Sequence, residues 1–344
     1  MSNRFDISGF VSFFYCISSA VSCLFNSLLI FIIATKSPKH VGTYKYLMII
    51  ISIFEILYSI LDILLLPVHF SKSSAIVLLS TANYDILGRP FVSVLDLVFW
   101  GFFGASLALF AVNFVYRYFA ISKHKLLVTF NSWKLILWLL IPFVNGVIWS
   151  LNGLLLCGPN REISDFVRKE VSLRFGKDID KTIYHAIYLY KFSADGKIIL
   201  RFDSVFSTAV MLISVIISFC IIIYFGVKCH HRITSVLQSS TSSYHQTLQK
   251  QLFYALVIQT LIPIVLMNFP VGVMFSAAFL NIDLGPYSTV VTTSITLYPA
   301  IDPFPNFFII KPYREALSGY CRCRKQVQPF PGQISGEQMN QTSA

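Results

Sequence analysis

Four carboxylates stand inside stretches that are otherwise apolar: Glu55, Asp62, Asp96 and Asp302. An ionised carboxylate at the centre of a membrane helix costs about 2.5–3.5 kcal/mol even on the most lenient scale, so each needs a chemical reason to be there. The reasons on offer are a shared proton, a bound cation, or a polar partner on a ligand or a neighbouring helix. Glu55 and Asp62 are seven residues apart, which puts them on one helical face, separated by about 10 Å along the axis. Glu55 and Asp302 fall at matching depth, about 12–14 Å from one membrane face. Two carboxylates so placed repel unless one is protonated or a cation lies between them, which marks Glu55, Asp302 and the adjoining Pro303 as a polar switch. The alternative is two protonated acids, each bonded to a nearby hydroxyl or amide.

Asp62 and Asp96 belong to the opposite membrane half, together with His69, Trp100 and the run Thr292, Thr293, Ser294, Thr296 and Tyr298. Aromatic walls with a few placed polar groups suit a small, partly apolar ligand. Hydroxyls that merely bond across a helix interface are the competing explanation. The candidate ligand set is therefore Asp62, His69, Asp96, Trp100, Thr293, Thr296 and Tyr298. The patterns HExxH, GxSxG and paired CxxC are absent, and the vicinal His230 and His231 lack acidic or thiol neighbours. We expect no enzyme, no cofactor and no metal.

Seven apolar stretches must carry these groups: 10–35, 46–69, 91–120, 133–156, 204–227, 252–280 and 288–310. A span of about 20 residues crosses the hydrocarbon core, so each is long enough. The chain is 55% hydrophobic and 12% charged, with a mean hydropathy of +0.68, and a soluble domain carries about twice that charge. The first stretch outruns the apolar core of a signal peptide, usually about 7–15 residues. Helices are the spans that satisfy their own backbone, and the alternating segments of a barrel are missing. The fold class is an all-α, seven-transmembrane-helix bundle, a single domain over 1–320 with a disordered cytoplasmic tail at 321–344.

Lys and Arg set the orientation. The segments 36–45, 117–134, 228–251 and the tail hold fifteen of them, whereas the opposite short segments hold only Arg4, Lys72 and Arg89. Basic residues in short loops stay in the cytoplasm, which predicts the N-terminus outside and the C-terminus inside. Because these charges are dispersed over loops, the net charge of +11 does not point to nucleic acid. The long segment 157–203 then falls outside, with a helix capped by Ser164 and stopped by Gly176, and an aromatic YHAIYLYKF run able to lie over the bundle as a lid.

Of seven cysteines only Cys157 falls in an outer segment, and 88–100 contains none, so the loop-to-helix disulfide of many seven-helix receptors is missing. Cys321 and Cys323 stand among basic residues beyond the last span, a setting that suits palmitoylation. Pro67, Pro142, Pro263, Pro270, Pro299, Pro303 and Pro305 fall within spans, and each removes a backbone hydrogen bond, so spans 6 and 7 are the expected moving parts. Arg117, within YRYFAI at the foot of the third span, and the basic 228–251 loop form an expected docking surface for a cytoplasmic partner.

The strings TLYPAIDPFPNFFIIKPYREAL, QLFYALVIQTLIPIV, TYKYLMIIISIFEILYS and YRYFAI resemble the nematode Str-type seven-transmembrane chemoreceptors, from the first span to Arg314. The resemblance implies a G-protein-coupled receptor in the ciliated membrane of a sensory neuron, responding to an odorant or other small cue. It implies as partners that small molecule, a heterotrimeric G protein, membrane lipid and, as an open option, a second receptor copy. Tyr116, Arg117 and Tyr118 occupy the place of the acidic-Arg-Tyr motif of the wider superfamily, and Asp302-Pro303 that of its Asn-Pro step. Both are departures: without an acid before Arg117 the usual local ionic lock cannot form. The alternatives are a transporter, against which the absence of paired half-repeats speaks, and a ligand-gated channel of opposite topology, against which the loop charges speak.

Overall fold

The computed structural model describes residues 7–82, 84–193, 195–238 and 244–323. Spans 1 to 5 are the helices Ile7–Lys36, Tyr44–Leu65, Arg89–Ser122, Leu135–Leu156 and Phe202–Gln238. Span 6 runs as Tyr244–Pro263, a π-helical turn Ile264–Asn268, and Phe269–Phe279. These six are long and apolar enough to cross a membrane. Span 7 is two shorter helices, Ser288–Ile301 and Phe304–Ile309, and an amphipathic helix, Lys311–Cys323, follows it. Residues 324–344, with Asn340 and most of the expected tail, lie outside the described residues, as do the side chains of Cys321 and Cys323.

Proline chemistry explains the breaks in spans 6 and 7. Pro303 cannot donate to the carbonyl of Pro299, and span 1 supplies the missing donors: Ser22 Oγ at 3.1 Å and Asn26 Nδ2 at 3.0 Å. Ser18 Oγ adds a bond to Thr296 O at 2.8 Å. In span 6 the Asn268 amide donates to Pro263 O at 3.2 Å, inside the widened turn between Pro263 and Pro270. Five of the seven prolines thus sit at or near irregular backbone, and Pro142 lies within a continuous helix.

Span 2 corrects the sequence expectation. Its helix stops at Leu65, where Leu66 takes a left-handed backbone (φ 45°), and Pro67 and His69 lie on a strand rather than in a helix. Strands β1 (Pro67–Lys72), β2 (Ala75–Ser80) and β3 (Tyr184–Tyr188) form an antiparallel sheet in that order. Its register pairs Leu78 with both His69 and His185, and Ile76 with Ile187, so one face presents these side chains to the bundle. The other face, with Phe70, Val77, Leu79, Tyr184 and Ala186, packs on Ile163, Val167 and Val171 of a loop helix, Arg161–Phe175.

That helix ends at Gly176 as expected (φ 63°), but its cap is Asn160, whose Oδ1 accepts from Glu162 N at 2.9 Å. Ser164 lies one turn inside and bonds Tyr184 Oη at 2.7 Å, tying helix to sheet. The lid expected from 157–203 is therefore half of a two-layer cap, and residues 67–80 supply the other two strands. Span 5 also runs to Gln238, past its apolar stretch, because a helix that leaves the membrane needs no apolar face.

Spans 3 and 4 approach most closely through glycine. A Cβ on Gly104 would stand 2.2 Å from Trp149 Cγ, and one on Gly146 would stand 2.9 Å from Gly101 O. Gly104→Ala should cost about 1–3 kcal/mol by overpacking. Gly272→Ala, which meets nothing within 4 Å, should leave the thermal midpoint in detergent unchanged or raised. Equal midpoints for the two variants would remove the tight span 3–span 4 contact from the account.

Candidate functional site

Beneath the sheet lies a cavity of about 80 Å³. Span 3 contributes Phe99, Trp100 and Phe103, span 4 Trp149, and the sheet Ile76, Leu78 and Ile187. His69 and His185 are its titratable walls. A benzene-sized guest occupies a cavity of about 150 Å³, so this space takes only a few heavy atoms without side-chain movement. The indole Nε1 of Trp100 is buried without a hydrogen-bond partner among the described residues.

Asp96 holds the cap to the bundle. Its Oδ2 lies 2.6 Å from Nε2 of His185 on β3, a close carboxylate–imidazole contact rather than an aligned hydrogen bond. His185 Nδ1 faces Gly153 O at 3.1 Å, and the ring edge meets Trp100 at 5.3 Å. Span 3, span 4 and the loop are joined here where other receptors use a disulfide. Cys157 takes no such part: it is buried and free, its Sγ 3.0 Å from Ser207 Oγ, and burial pushes the thiol up to about 11.

Of the other candidates, His69 reaches span 7, its backbone N–H donating to Thr292 Oγ1 at 2.9 Å. Burial lowers the His69 imidazole to about 4 from 6.5. The unfolded chain therefore takes the extra proton first, so stability falls as pH drops below about 6.5 and levels off below about 4. The expected slope is at most about 1.4 kcal/mol per pH unit in that window. His69→Gln should flatten the thermal midpoint against pH there, and an unchanged slope would assign the dependence to another group.

Asp62 lies near Tyr15 and Tyr58 rather than in the cavity wall, and neither of its oxygens meets a hydrogen-bond donor among the described residues. Thr293 and Thr296 bond back to their own helix, at Thr289 O and Thr292 O. Tyr298 is buried edge-on against Tyr58 at 6.0 Å. None of these four lines the cavity. The structure adds walls that the sequence reading missed: Phe99, Phe103, Trp149, His185 and Met211. Strand β3 is buried on both faces, so its sequence carries no polar–apolar alternation that would have marked it.

Deeper in the bundle, Glu55 lies against Asp302, with Asn26 beside it. Gln259 Nε2 donates to Asp302 Oδ2 at 2.6 Å, while both Glu55 oxygens, Asp302 Oδ1 and Asn26 Oδ1 are buried without hydrogen-bond partners among the described residues. The two carboxylates are therefore neighbours. No group of three or more His, Cys, Asp or Glu among the described residues is placed to hold a metal.

At the end opposite the sheet, Arg117 is 1% exposed. Its guanidinium lies 3.9 Å from the centre of the Tyr44 ring, and Nη1 donates to Gln249 Oε1 of span 6 at 3.0 Å. Tyr116 stacks on Tyr44 at 5.6 Å, and Tyr118 packs on Phe225 at 5.5 Å. Nε and Nη2 of Arg117 are left without partners among the described residues. An aromatic ring and a neutral amide thus stand where an acidic lock would.

Residues 11–318 match the family described as serpentine type 7TM GPCR chemoreceptor Str. The chain belongs to this family. Among relatives, the G-protein coupled receptor str-217 of Caenorhabditis elegans is 32% identical over 324 residues, which are 92% of each chain. Serpentine receptor class r-10 of the same organism is 28% identical over 298 residues, 86% of each chain. In fold the receptor is similar to squid rhodopsin, with a TM-score of 0.59 at 10% identity over 96% of this chain and 89% of that one. The protein is thus a multi-pass, seven-helix receptor of the G-protein-coupled type, from a receptor family rather than an enzyme family.

Proposed function

We propose that this receptor is a chemosensor that takes a small, neutral, largely apolar molecule with one hydrogen-bond acceptor into the cavity beneath the sheet. The observation that carries the reading is a space beneath the sheet with four aromatic side chains, Phe99, Trp100, Phe103 and Trp149, among its walls, and the Nε1 of Trp100 is buried and unpartnered among the described residues. Occupancy favours an arrangement in which the Arg117 end opens to a heterotrimeric G protein, and the differential affinity for that arrangement is the signal. The loop charges support an N-terminus outside and a cytoplasmic C-terminus, with residues 1–320 acting as one receptor domain in the plasma membrane of a sensory cilium. Lipid would cover the exposed apolar faces of spans 4 and 5, and Cys321 and Cys323 are candidates for acylation.

The test is a G-protein reporter screen of small volatile and water-soluble compounds, repeated on Ile187→Trp, which fills the cavity. The response should be lost while surface delivery persists. An unchanged potency would move the ligand site elsewhere. Orientation is checked separately in microsomes, where Asn340-Gln341-Thr342 is the one glycan acceptor of the sequence. A glycan on Asn340 would overturn the cytoplasmic tail.

A further inference from the structure

The cap leaves no easy way in from the water. Its inner face forms the cavity wall and its outer face is sealed by the loop helix. Both edges are pinned. On β1, His69 N bonds Thr292 Oγ1, and Tyr15 bonds Pro67 O. On β3, Ala186 N bonds Cys157 O at 2.8 Å and Tyr188 N bonds Ser204 Oγ at 3.2 Å. Passage through this roof means breaking an antiparallel ladder together with the Asp96–His185 contact.

The bilayer side differs. Between spans 3, 4 and 5 runs an open groove of about 590 Å³, with Ala108 and Ala111 of span 3 among its walls. Its flanks Ile148 and Ile213 are exposed, at 42% and 57%, on apolar faces that meet lipid in a membrane. The groove and the cavity have walls that are bonded to each other and adjacent in sequence. The ring of Trp149 is a cavity wall, and its Nε1 donates at 2.8 Å to the Oγ of Ser214, which lines the groove. Met211 faces the cavity while Val210, next to it in sequence, faces the groove. The Trp149–Ser214 bond thus joins a wall of the cavity to a wall of the groove.

We propose that the ligand enters the cavity sideways from the bilayer, along the groove between spans 3, 4 and 5, past Trp149 and Ser214. This rests on the reading of the cavity as the ligand site. The occupant in transit is a small apolar molecule dissolved in lipid, where the hydrophobic effect concentrates it. Groove and cavity walls are both predominantly apolar, so such a molecule gives up no hydrogen bond on the way. The polar contact between the two sets of walls, Trp149 to Ser214, is one neutral bond.

The experiment places a reporter thiol in the cavity wall as Met211→Cys in the full-length receptor, in membrane fragments open on both sides. Uncharged methyl methanethiosulfonate and its trimethylammonium-ethyl analogue are applied, and modification of residue 211 is timed by peptide mass spectrometry. The uncharged reagent should react faster by about tenfold or more. Ile148→Trp, at an exposed position over the groove, should slow it, and Ser214→Ala, which frees the indole, should quicken it. Equal rates for the two reagents would overturn the route in favour of entry from water. A rate indifferent to Ile148→Trp would overturn the groove alone and leave the cavity standing. No modification by either reagent would remove the accessible cavity, and with it the reading of the ligand site.

Discussion

Asp96→Ala should lower the stability of the receptor by about 1–3 kcal/mol, the cost of leaving a buried polar ring without the group it faces. His185 is 6% exposed and Asp96 1%, so water cannot replace the missing group. The damage should concentrate at the cap, because β3 has no covalent tie to span 3. The pair Asp96→Leu with His185→Leu should recover most of the loss, since replacing both partners by apolar groups leaves no buried polar group unsatisfied. Thermal midpoints of Asp96→Leu, His185→Leu and the double variant close the cycle. Additive losses would show that the two side chains do not act together, and the cap would then be held by its backbone ladder alone.

Arg117→Ala should abolish G-protein signalling while leaving surface delivery intact, since the residue stands at the foot of span 3 beneath Tyr44 and Gln249. Gln249→Leu should do the reverse and raise signalling without ligand. The Arg117–Gln249 bond ties span 3 to span 6 in this arrangement, and a hydrogen bond to a charged group is worth about 1.5–3 kcal/mol. A bond of this size made in the silent arrangement and not in the signalling one shifts the balance by roughly ten- to a hundredfold when it is removed. A reporter assay in cells matched for surface receptor reads both. Signalling that survives Arg117→Ala would take that residue out of the coupling surface. Unchanged basal output from Gln249→Leu would show that the bond persists in the active form.

The spans were legible because membrane length and apolar composition are local properties that need no knowledge of neighbours. The meeting of Glu55 and Asp302 was legible too, since depth follows from chain direction and a fixed rise per residue. The cap was not. Residues 67–80 follow span 2 as a further apolar run, and strands covered on both faces show none of the alternation that marks a half-buried strand. The turn at Ser73 and Ser74 between two six-residue runs was the one hairpin signal. Trp149 and Met211 escaped notice because they become cavity walls only when spans 3, 4 and 5 pack. Asp96 was picked for its depth, and its partner lay in a loop that depth could not reach.

The sheet also sets an order on the making of the molecule. Strand β2 finds its partner in β3, and between Leu79 and Tyr184 the ribosome must add about 105 residues, including spans 3 and 4, at about 5–20 residues per second. For roughly 5–20 s the hairpin of β1 and β2 waits with an open edge and two apolar faces, beside a bundle that lacks its roof. A newborn receptor of this kind is exposed to wrong strand pairing at its first loop before it can bind anything, so its passage out of the endoplasmic reticulum should depend on how well that one edge is shielded.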